Sequence, residues 1–299
     1  MDAVMFPGQG SQRPGMGAPW STTPSWAVVG TISDVLHRDV GTLLVDADAP
    51  TLQATRNAQV AAFALGAVQL DAARRAGWTW EVTAGHSLGE YTALVAAGAL
   101  TVEEASRLVG ERAEAMQSAA DAAPGTMSAI LGLEADAVAA CCEEAGGGVW
   151  VANDNAPGQI VVAGTAEGVA AAAAAAKARG GKALPLSVGG AFHTPLMAAA
   201  HERLDLALGT AAFADAEAVV VTNVDAAPHR SAHDFRHLLS AQLCAPVRWR
   251  ESVLRMEEMG VGRLVELGPG GVLSGMVKRI SPGMERVTIA TPDEITGAR

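Results

Sequence analysis

Gly85-His86-Ser87-Leu88-Gly89 sets a serine in the spacing G-x-S-x-G, which marks a nucleophile on a sharp turn between a strand and a helix. Both flanks fit, because residues 78–84 read as a strand and residues 88–97 as a small-residue helix. Glycines two positions either side remove Cβ atoms that would strike neighbouring backbone. The helix N-terminus that follows aims free N–H groups and a positive dipole end at a developing oxyanion. The chemistry implied is attack on a carbonyl through a covalent serine intermediate. Its competitor is an ordinary turn that happens to hold Gly and Ser.

A serine of ordinary acidity needs a base. His86 adjoins it, but successive side chains on such a turn diverge, which leaves His86 a positional role. His37, His229, His233 and His237 lie in polar stretches, and His201 sits in a helical stretch beside Glu202 and Arg203, so a solvated surface is the reading for each. His193 differs. It follows Gly189-Gly190-Ala191-Phe192 and precedes Thr194-Pro195, a cap and first-turn pair. A histidine just outside a helix N-terminus is held in place and biased towards its neutral form. It is either the general base or a capping-loop residue without chemistry.

The Leu88 N–H supplies one oxyanion donor, and a second has to come from another loop. Phe6-Pro7-Gly8-Gln9-Gly10-Ser11-Gln12 offers the Gln9 N–H, or else is a purely structural turn. It is not a phosphate loop: Arg13 stands where a dinucleotide fingerprint needs glycine, and Met16-Gly17 where a Walker loop needs Lys and Ser/Thr. Arg112 is out of place in another way. Thr101 and Glu104 have the form of a capping box opening a helix to about residue 120, whose apolar stripe runs Ala105, Leu108, Val109, Met116. Arg112 lies on that stripe, four residues from both Leu108 and Met116. It pairs with an internal carboxylate, snorkels to water, or offers its planar fork to a substrate carboxylate.

These residues need a scaffold, and the chain alternates strands with helices in the manner of a parallel, helix-covered sheet. Strands fall at residues 4–6, 219–222 and 263–267, and a long helix at 59–73. Beyond Pro124-Gly125 the order changes. Strand 127–133, a helix through Cys142, strands 148–152 and 159–163, a helix holding the alanines of 170–176 and strand 183–188 give β-α-β-β-α-β, a ferredoxin-like insert. The 299 residues are 49% hydrophobic and 18% charged, enough for a sizeable core. The net charge of −11 argues against nucleic acid. No apolar run approaches the roughly 18–20 residues of a membrane helix. Cys141, Cys142 and Cys244 form neither a disulfide framework nor a metal motif, so the expected setting is reducing and cytoplasmic.

Together the motifs resemble the malonyl-CoA:acyl carrier protein transacylases of fatty acid synthesis and the acyltransferase domains of polyketide synthases. The resemblance spans nearly the whole chain. It runs from Phe6–Gln12 and Gly85-His-Ser-Leu-Gly-Glu-Tyr91 through Arg112, Met116-Gln117, Gly125-Thr-Met-Ser-Ala-Ile130 and Ala152-Asn-Asp-Asn-Ala-Pro-Gly-Gln159. It continues through Ala191-Phe-His193 and Gln242-Leu-Cys-Ala-Pro-Val247 to Glu266-Leu-Gly-Pro-Gly270. It implies an α/β fold, with an α/β-hydrolase-like large subdomain (residues 1–124 and 190–299) and a ferredoxin-like small one (125–189). It implies Ser87 as nucleophile, His193 as base, and the main-chain carbonyl of Gln242 orienting that histidine in place of an acid such as Asp121, Asp136 or Asp154. Gln9 and Leu88 would supply oxyanion N–H groups, and Arg112 would bind the malonyl carboxylate. Met116, His86 and Phe192 would contact substrate, with Phe192 crowding an α-branch.

The implied partners are malonyl-CoA, as substrate, and an acyl carrier protein, with no cofactor, nucleic acid or membrane. Lys182, Lys278 and Arg279 are candidates for docking an acidic carrier. Two departures from the family pattern bear on the acyl pocket: Val60 after Gln59, where proline is usual, and the Gly-Gly pair before Ala191. The competing functions are a trans-acting polyketide acyltransferase with another extender unit, a serine esterase or thioesterase, and a non-catalytic carrier-binding module.

Overall fold

A computed structural model describes residues 1–297. The chain opens with β1 (Asp2–Phe6) and four helices, α1 (Ala27–Leu36), α2 (Val40–Val45), α3 (Ala49–Gln53) and α4 (Thr55–Arg75), then β2 (Val82–Gly85), α5 (Gly89–Ala96) and α6 (Val102–Ala122). A middle stretch follows: β3 (Thr126–Leu131), α7 (Ala135–Glu144), β4 (Val149–Ala156), β5 (Gln159–Gly164), α8 (Ala166–Ala178) and β6 (Lys182–Pro185). The remainder is α9 (Ala198–Thr210), β7 (Val219–Val221), β8 (Pro228–His229), α10 (Ala232–Gln242), α11 (Trp249–Glu258), β9 (Arg263–Leu267), α12 (Val272–Ile280), β10 (Glu285–Ile289) and α13 (Pro292–Gly297).

One sheet is ordered β10-β9-β1-β2-β7-β8, parallel throughout except for the antiparallel edge strand β8. Both faces are covered, as a parallel sheet requires. Val4 and Phe6 of β1 pack into the apolar layer shared with α4, α5, α6 and α9. Ala3 and Met5 point the other way, against Val253 and Met256 of α11 and Leu273 and Val277 of α12. The second sheet, β4-β5-β3-β6, is antiparallel. One face has an apolar cluster of its own, with Ile130, Ile160 and Val162 under Val138 and Cys141 of α7 and Val169 and Ala172 of α8. On the other face, Met127, Ala152, Val161 and Ala163 join the large core. The two architectures agree with the parallel sheet and the ferredoxin-like insert read from the sequence.

Several boundaries differ, each for a local reason. β2 begins at Val82 rather than at 78, because its partner β1 begins at Asp2 and pairs Ala3 with Val82. Trp78 and Trp80 therefore lie outside the ladder, and the Trp80 indole N–H donates to the Ala96 carbonyl at 3.2 Å. β6 ends at Pro185; the Leu186 N–H still donates to the Met127 carbonyl at 3.0 Å, after which Leu186 and Val188 line the cleft described below. β4 is longer than expected. It continues through Asn153-Asp154-Asn155 with two register shifts, braced by Asp154 N–H to the Val247 carbonyl at 2.9 Å. The polar residues that hid this strand tie it to the segment before α11. The Thr101 capping box is half made: the Glu104 N–H donates to Thr101 Oγ1 at 3.1 Å, but the Glu104 carboxylate turns to Arg107 and the Ala212 N–H.

Candidate active site

Ser87 sits where β2 meets α5, with φ at +52°, a left-handed conformation that costs a non-glycine residue about 1–2 kcal/mol. The glycines make the turn fit. A Cβ on Gly85 would lie 2.0 Å from the Gly89 carbonyl carbon, and one on Gly89 would lie 2.0 Å from the Phe6 oxygen.

Ser87 Oγ is 2.8 Å from Nε2 of His193, and His193 Nδ1 is 2.9 Å from the main-chain oxygen of Gln242. A carbonyl only accepts, so Nδ1 carries the proton and Nε2 presents its lone pair to the serine hydroxyl. Thr194 does cap the segment after His193: its hydroxyl accepts the Leu196 N–H. The first turn there is a 3-10 turn, Pro195–Met197, that leads into α9. His193 is 5% exposed, and its pKa is lowered to about 3, first by burial and second by the charge of Arg112. The imidazole is therefore neutral at physiological pH. None of Asp121, Asp136 and Asp154 bonds to it, and Asp154 pairs instead with Arg250.

Arg112, on α6, is 1% exposed. It donates to Gln59 Oε1 at 2.5 Å, to Ser87 Oγ at 3.0 Å and to Gln242 Oε1 at 3.1 Å. Its guanidinium lies 5.7 Å from the Tyr91 ring centroid, and its Nε has no hydrogen-bond partner among the described residues. Among the described residues no carboxylate forms an ion pair with it. Internal pairing and snorkelling, the two structural readings of its place on the apolar stripe, are both unmet.

The first loop lies against the serine turn. A Cβ on Gly8 would come 2.5 Å from the His86 carbonyl oxygen and 3.5 Å from the Leu88 nitrogen, and the His86 N–H donates to the Phe6 oxygen at 2.9 Å. Neither the Gln9 nor the Leu88 N–H donates to a protein acceptor among the described residues. Together these parts floor a cleft of about 780 Å³, open mouth included, walled by Met116 and Phe192 on one side and by Met127, Asn155 and Val161 of the small sheet on the other.

His86 is half-buried at the cleft, and its Nε2 is bonded to Asn155 Oδ1 at 2.8 Å. Burial lowers its pKa. Of the two departures from the family pattern, Val60 does not line the cleft. The Gly-Gly pair does matter to it, since a Cβ on Gly190 would meet the Phe192 ring at 2.6 Å. His229, read from sequence as a solvated surface residue, is instead half-buried between Asp225 (2.8 Å) and Asp234 (3.2 Å). Lys182 and Lys278 are exposed. Arg279 is bonded to Gln159 Oε1 at 2.7 Å and to the Pro157 carbonyl, joining α12 to the β4–β5 turn.

Sequence reasoning missed two kinds of contact. The Gln242 side chain is a second support besides its carbonyl: Oε1 accepts from Arg112, and Nε2 donates to the Ser87 main-chain carbonyl at 3.1 Å. Asn223 and Glu90 were also missed. Asn223 bonds both limbs of the serine turn. Glu90 is 1% exposed, and burial pushes its carboxyl up to about 7. An acid buried in the first turn after a serine elbow was the available signal for Glu90; Asn223 left none.

Residues 4–291 match the family described as "Acyl transferase domain". The malonyl CoA-acyl carrier protein transacylase of Bacillus subtilis (strain 168) is 40% identical over 98% of this chain and 94% of its own. That of Escherichia coli (strain K12) is 38% identical over 99% of this chain and 98% of its own. A solved type II PKS acyl-carrier protein in complex with its malonyl-transacylase matches with a TM-score of 0.95 at 38% identity, over 99% of this chain and 98% of that one. The chain belongs to the acyltransferase family, among its malonyl CoA-acyl carrier protein transacylases.

Proposed function

We propose that this enzyme moves a malonyl group from coenzyme A to the phosphopantetheine thiol of an acyl carrier protein, by a ping-pong route through a malonyl ester on Ser87. His193 Nε2 takes the Ser87 proton as Oγ attacks the thioester carbonyl. The tetrahedral oxyanion rests on the N–H groups of Gln9 and Leu88. As the C–S bond breaks, His193 returns the proton to the leaving coenzyme A sulfur, and the ester remains. The carrier thiol then gives its proton to His193 and attacks the ester carbonyl. Its C–S bond forms as the C–Oγ bond breaks, and Ser87 recovers the proton.

One observation carries the malonyl assignment: a buried guanidinium 3.0 Å from the serine oxygen with only neutral partners. A substrate carboxylate supplies the missing negative charge, replaces Ser87 Oγ as acceptor, and holds the acyl carbon beside the freed nucleophile. Phe192 and Met116 wall the acyl group, and His86 is fixed by Asn155 at the mouth. The chemistry calls for no cofactor, since proton transfer and acyl exchange use these side chains alone. The same reading divides the chain into a large subdomain (1–124 and 190–299) and a small one (125–189), in keeping with the apolar cluster that one face of the small sheet forms with α7 and α8.

No helix among the described residues is long and apolar enough to cross a membrane. With Cys141, Cys142 and Cys244 free thiols, we place the enzyme in the cytoplasm. The test is intact-mass measurement after mixing with malonyl-CoA. A malonyl adduct is expected on the unaltered chain and none on Ser87→Ala, with the adduct persisting until carrier protein is added. Rapid loss of the adduct to water would make the protein a thioesterase.

A further inference from the structure

We propose that Asn223, itself held by Glu90, is the positioning residue that keeps the serine turn in its reactive shape. The inference rests on the reading of Ser87 as nucleophile. Asn223 is fully buried just past the end of β7, the strand beside β2. Its side-chain amide bridges the two limbs of the turn: Oδ1 accepts the Ser87 N–H at 2.6 Å, and Nδ2 donates to the Gly85 carbonyl at 2.6 Å. Gly85 and Ser87 flank His86, so one amide closes the bend much as a neighbouring strand would.

The backbone of Asn223 is anchored in turn. Its N–H donates to Glu90 Oε2 at 2.9 Å, and its carbonyl accepts the Arg248 N–H at 3.0 Å. Glu90 lies in the first turn of α5, directly after the elbow. The contacts therefore form a closed loop from Gly85 and Ser87 through Asn223 and Glu90 back to the helix that the turn begins. Ser87 holds φ at +52° inside this loop, a conformation that persists only where its surroundings over-determine it.

The bridge has two consequences for chemistry. It occupies the Ser87 N–H, so the next N–H in the chain, that of Leu88, is the one left for an oxyanion. It also fixes Oγ where His193 and Arg112 both reach it, at 2.8 and 3.0 Å. Asn223 touches no reacting atom, so its effect is on the rate of the serine step and not on substrate affinity. Burial pushes the Glu90 carboxyl up to about 7, and a neutral acceptor is therefore a fair replacement for it.

The test uses the full chain and two readouts: the rate at which a fluorophosphonate probe labels Ser87, which needs neither Arg112 nor an acyl carboxylate, and single-turnover malonylation with its KM. Asn223→Ala is expected to slow both reactions by about 100-fold, the cost of misplacing a reacting atom by roughly 1 Å, with KM little changed. Asn223→Asp keeps the acceptor for Ser87 and loses the donor to Gly85, and should fall between. Glu90→Gln should recover most of what Glu90→Leu loses. A purely structural role would lower the melting temperature and leave the rate of the folded protein intact. Folded Asn223→Ala labelling at the unaltered rate overturns the proposal, and if that variant does not fold, the same result from Asn223→Asp does so. A native chain whose Ser87 takes no label would overturn the nucleophile reading itself.

Discussion

Two arginines differ in how their charge is met. Of the two, only Arg250 forms ion pairs among the described residues, while Arg112 touches no carboxylate and feels Glu90 only at longer range. Arg250, on α11, is 28% exposed. It donates to Asp154 Oδ2 at 2.9 Å and lies 3.5 Å from Glu134, joining α11 to the small sheet. Arg112, on α6, is 1% exposed and has glutamine carbonyls and a serine hydroxyl for partners. Burying a cation without an anion is costly. The fold tolerates that cost at Arg112 with neutral hydrogen bonds and the Tyr91 ring. The difference separates two uses of one side chain. An arginine whose charge is answered within the protein serves the joint where it lies, whereas one left unanswered at the floor of a cleft awaits an anionic ligand.

Removing the unanswered charge should have the largest effect. Arg112→Ala takes away one side of a buried, hydrogen-bonded charge pair with the malonyl carboxylate, a change worth about 2–5 kcal/mol, or roughly 30- to several-thousand-fold in rate. Acetyl transfer, which brings no carboxylate, should lose far less, and the measurement is the ratio of kcat/KM values for malonyl-CoA and acetyl-CoA. Equal losses for both would mean that Arg112 supports the serine and does not select the acyl group.

A smaller effect reaches Arg112 through its neighbour. His193 is held at about 3 by burial and then by the Arg112 charge. Malonylation by the free enzyme, followed as kcat/KM, should therefore stay level as pH falls through the usual histidine range near 6.5, and decline only towards about 3. A bound carboxylate cancels the second cause, so the inflection in kcat should lie above that in kcat/KM. Arg112→Ala should move the free-enzyme inflection up, and Arg250→Ala should leave it alone. The same shift has a sign for stability. Between about 3 and 6.5 the unfolded chain binds the proton that folded His193 refuses, so stability rises with pH across that window.

How far this site could be read in advance depended on how local each signal is. The serine turn needs five adjacent residues, and its glycines, strand and helix all lie within a short stretch, so it was legible. So were Thr101, which caps α6 through the Glu104 N–H, and the place of Arg112 on the apolar stripe. The β-α-β-β-α-β order also emerged from alternation alone. Contacts that chain distance hides were not legible: Asn223 lies 136 residues from the Ser87 N–H it accepts, and an asparagine after a short strand carries no periodic mark. The sequence pattern places no element at the edge strand β10 or at the helices α1, α2 and α3. The sequence ends β4 at residue 152 because its second half contains Asn153-Asp154-Asn155, residues depleted in strands. There tertiary contact with Val247 overrides propensity.

The smallest expected effect tests the answered arginine. Arg250→Ala leaves Asp154 without its cation, and because Arg250 is partly exposed the loss should fall between that of a surface pair and a buried one, about 1–2 kcal/mol of stability. Burial raises the Asp154 pKa and Arg250 lowers it, so the exchange should raise it further. Below the ordinary carboxylate range near 4, Asp154 is protonated in both folded and unfolded chains and the deficit shrinks. As pH rises past that point the unfolded chain ionises more readily, and the deficit grows. Denaturant unfolding of both proteins at acid and neutral pH measures this. The malonyl-to-acetyl ratio of Arg250→Ala should match that of the unaltered enzyme, because Arg250 holds two parts of the fold together and its charge never faces the acyl group.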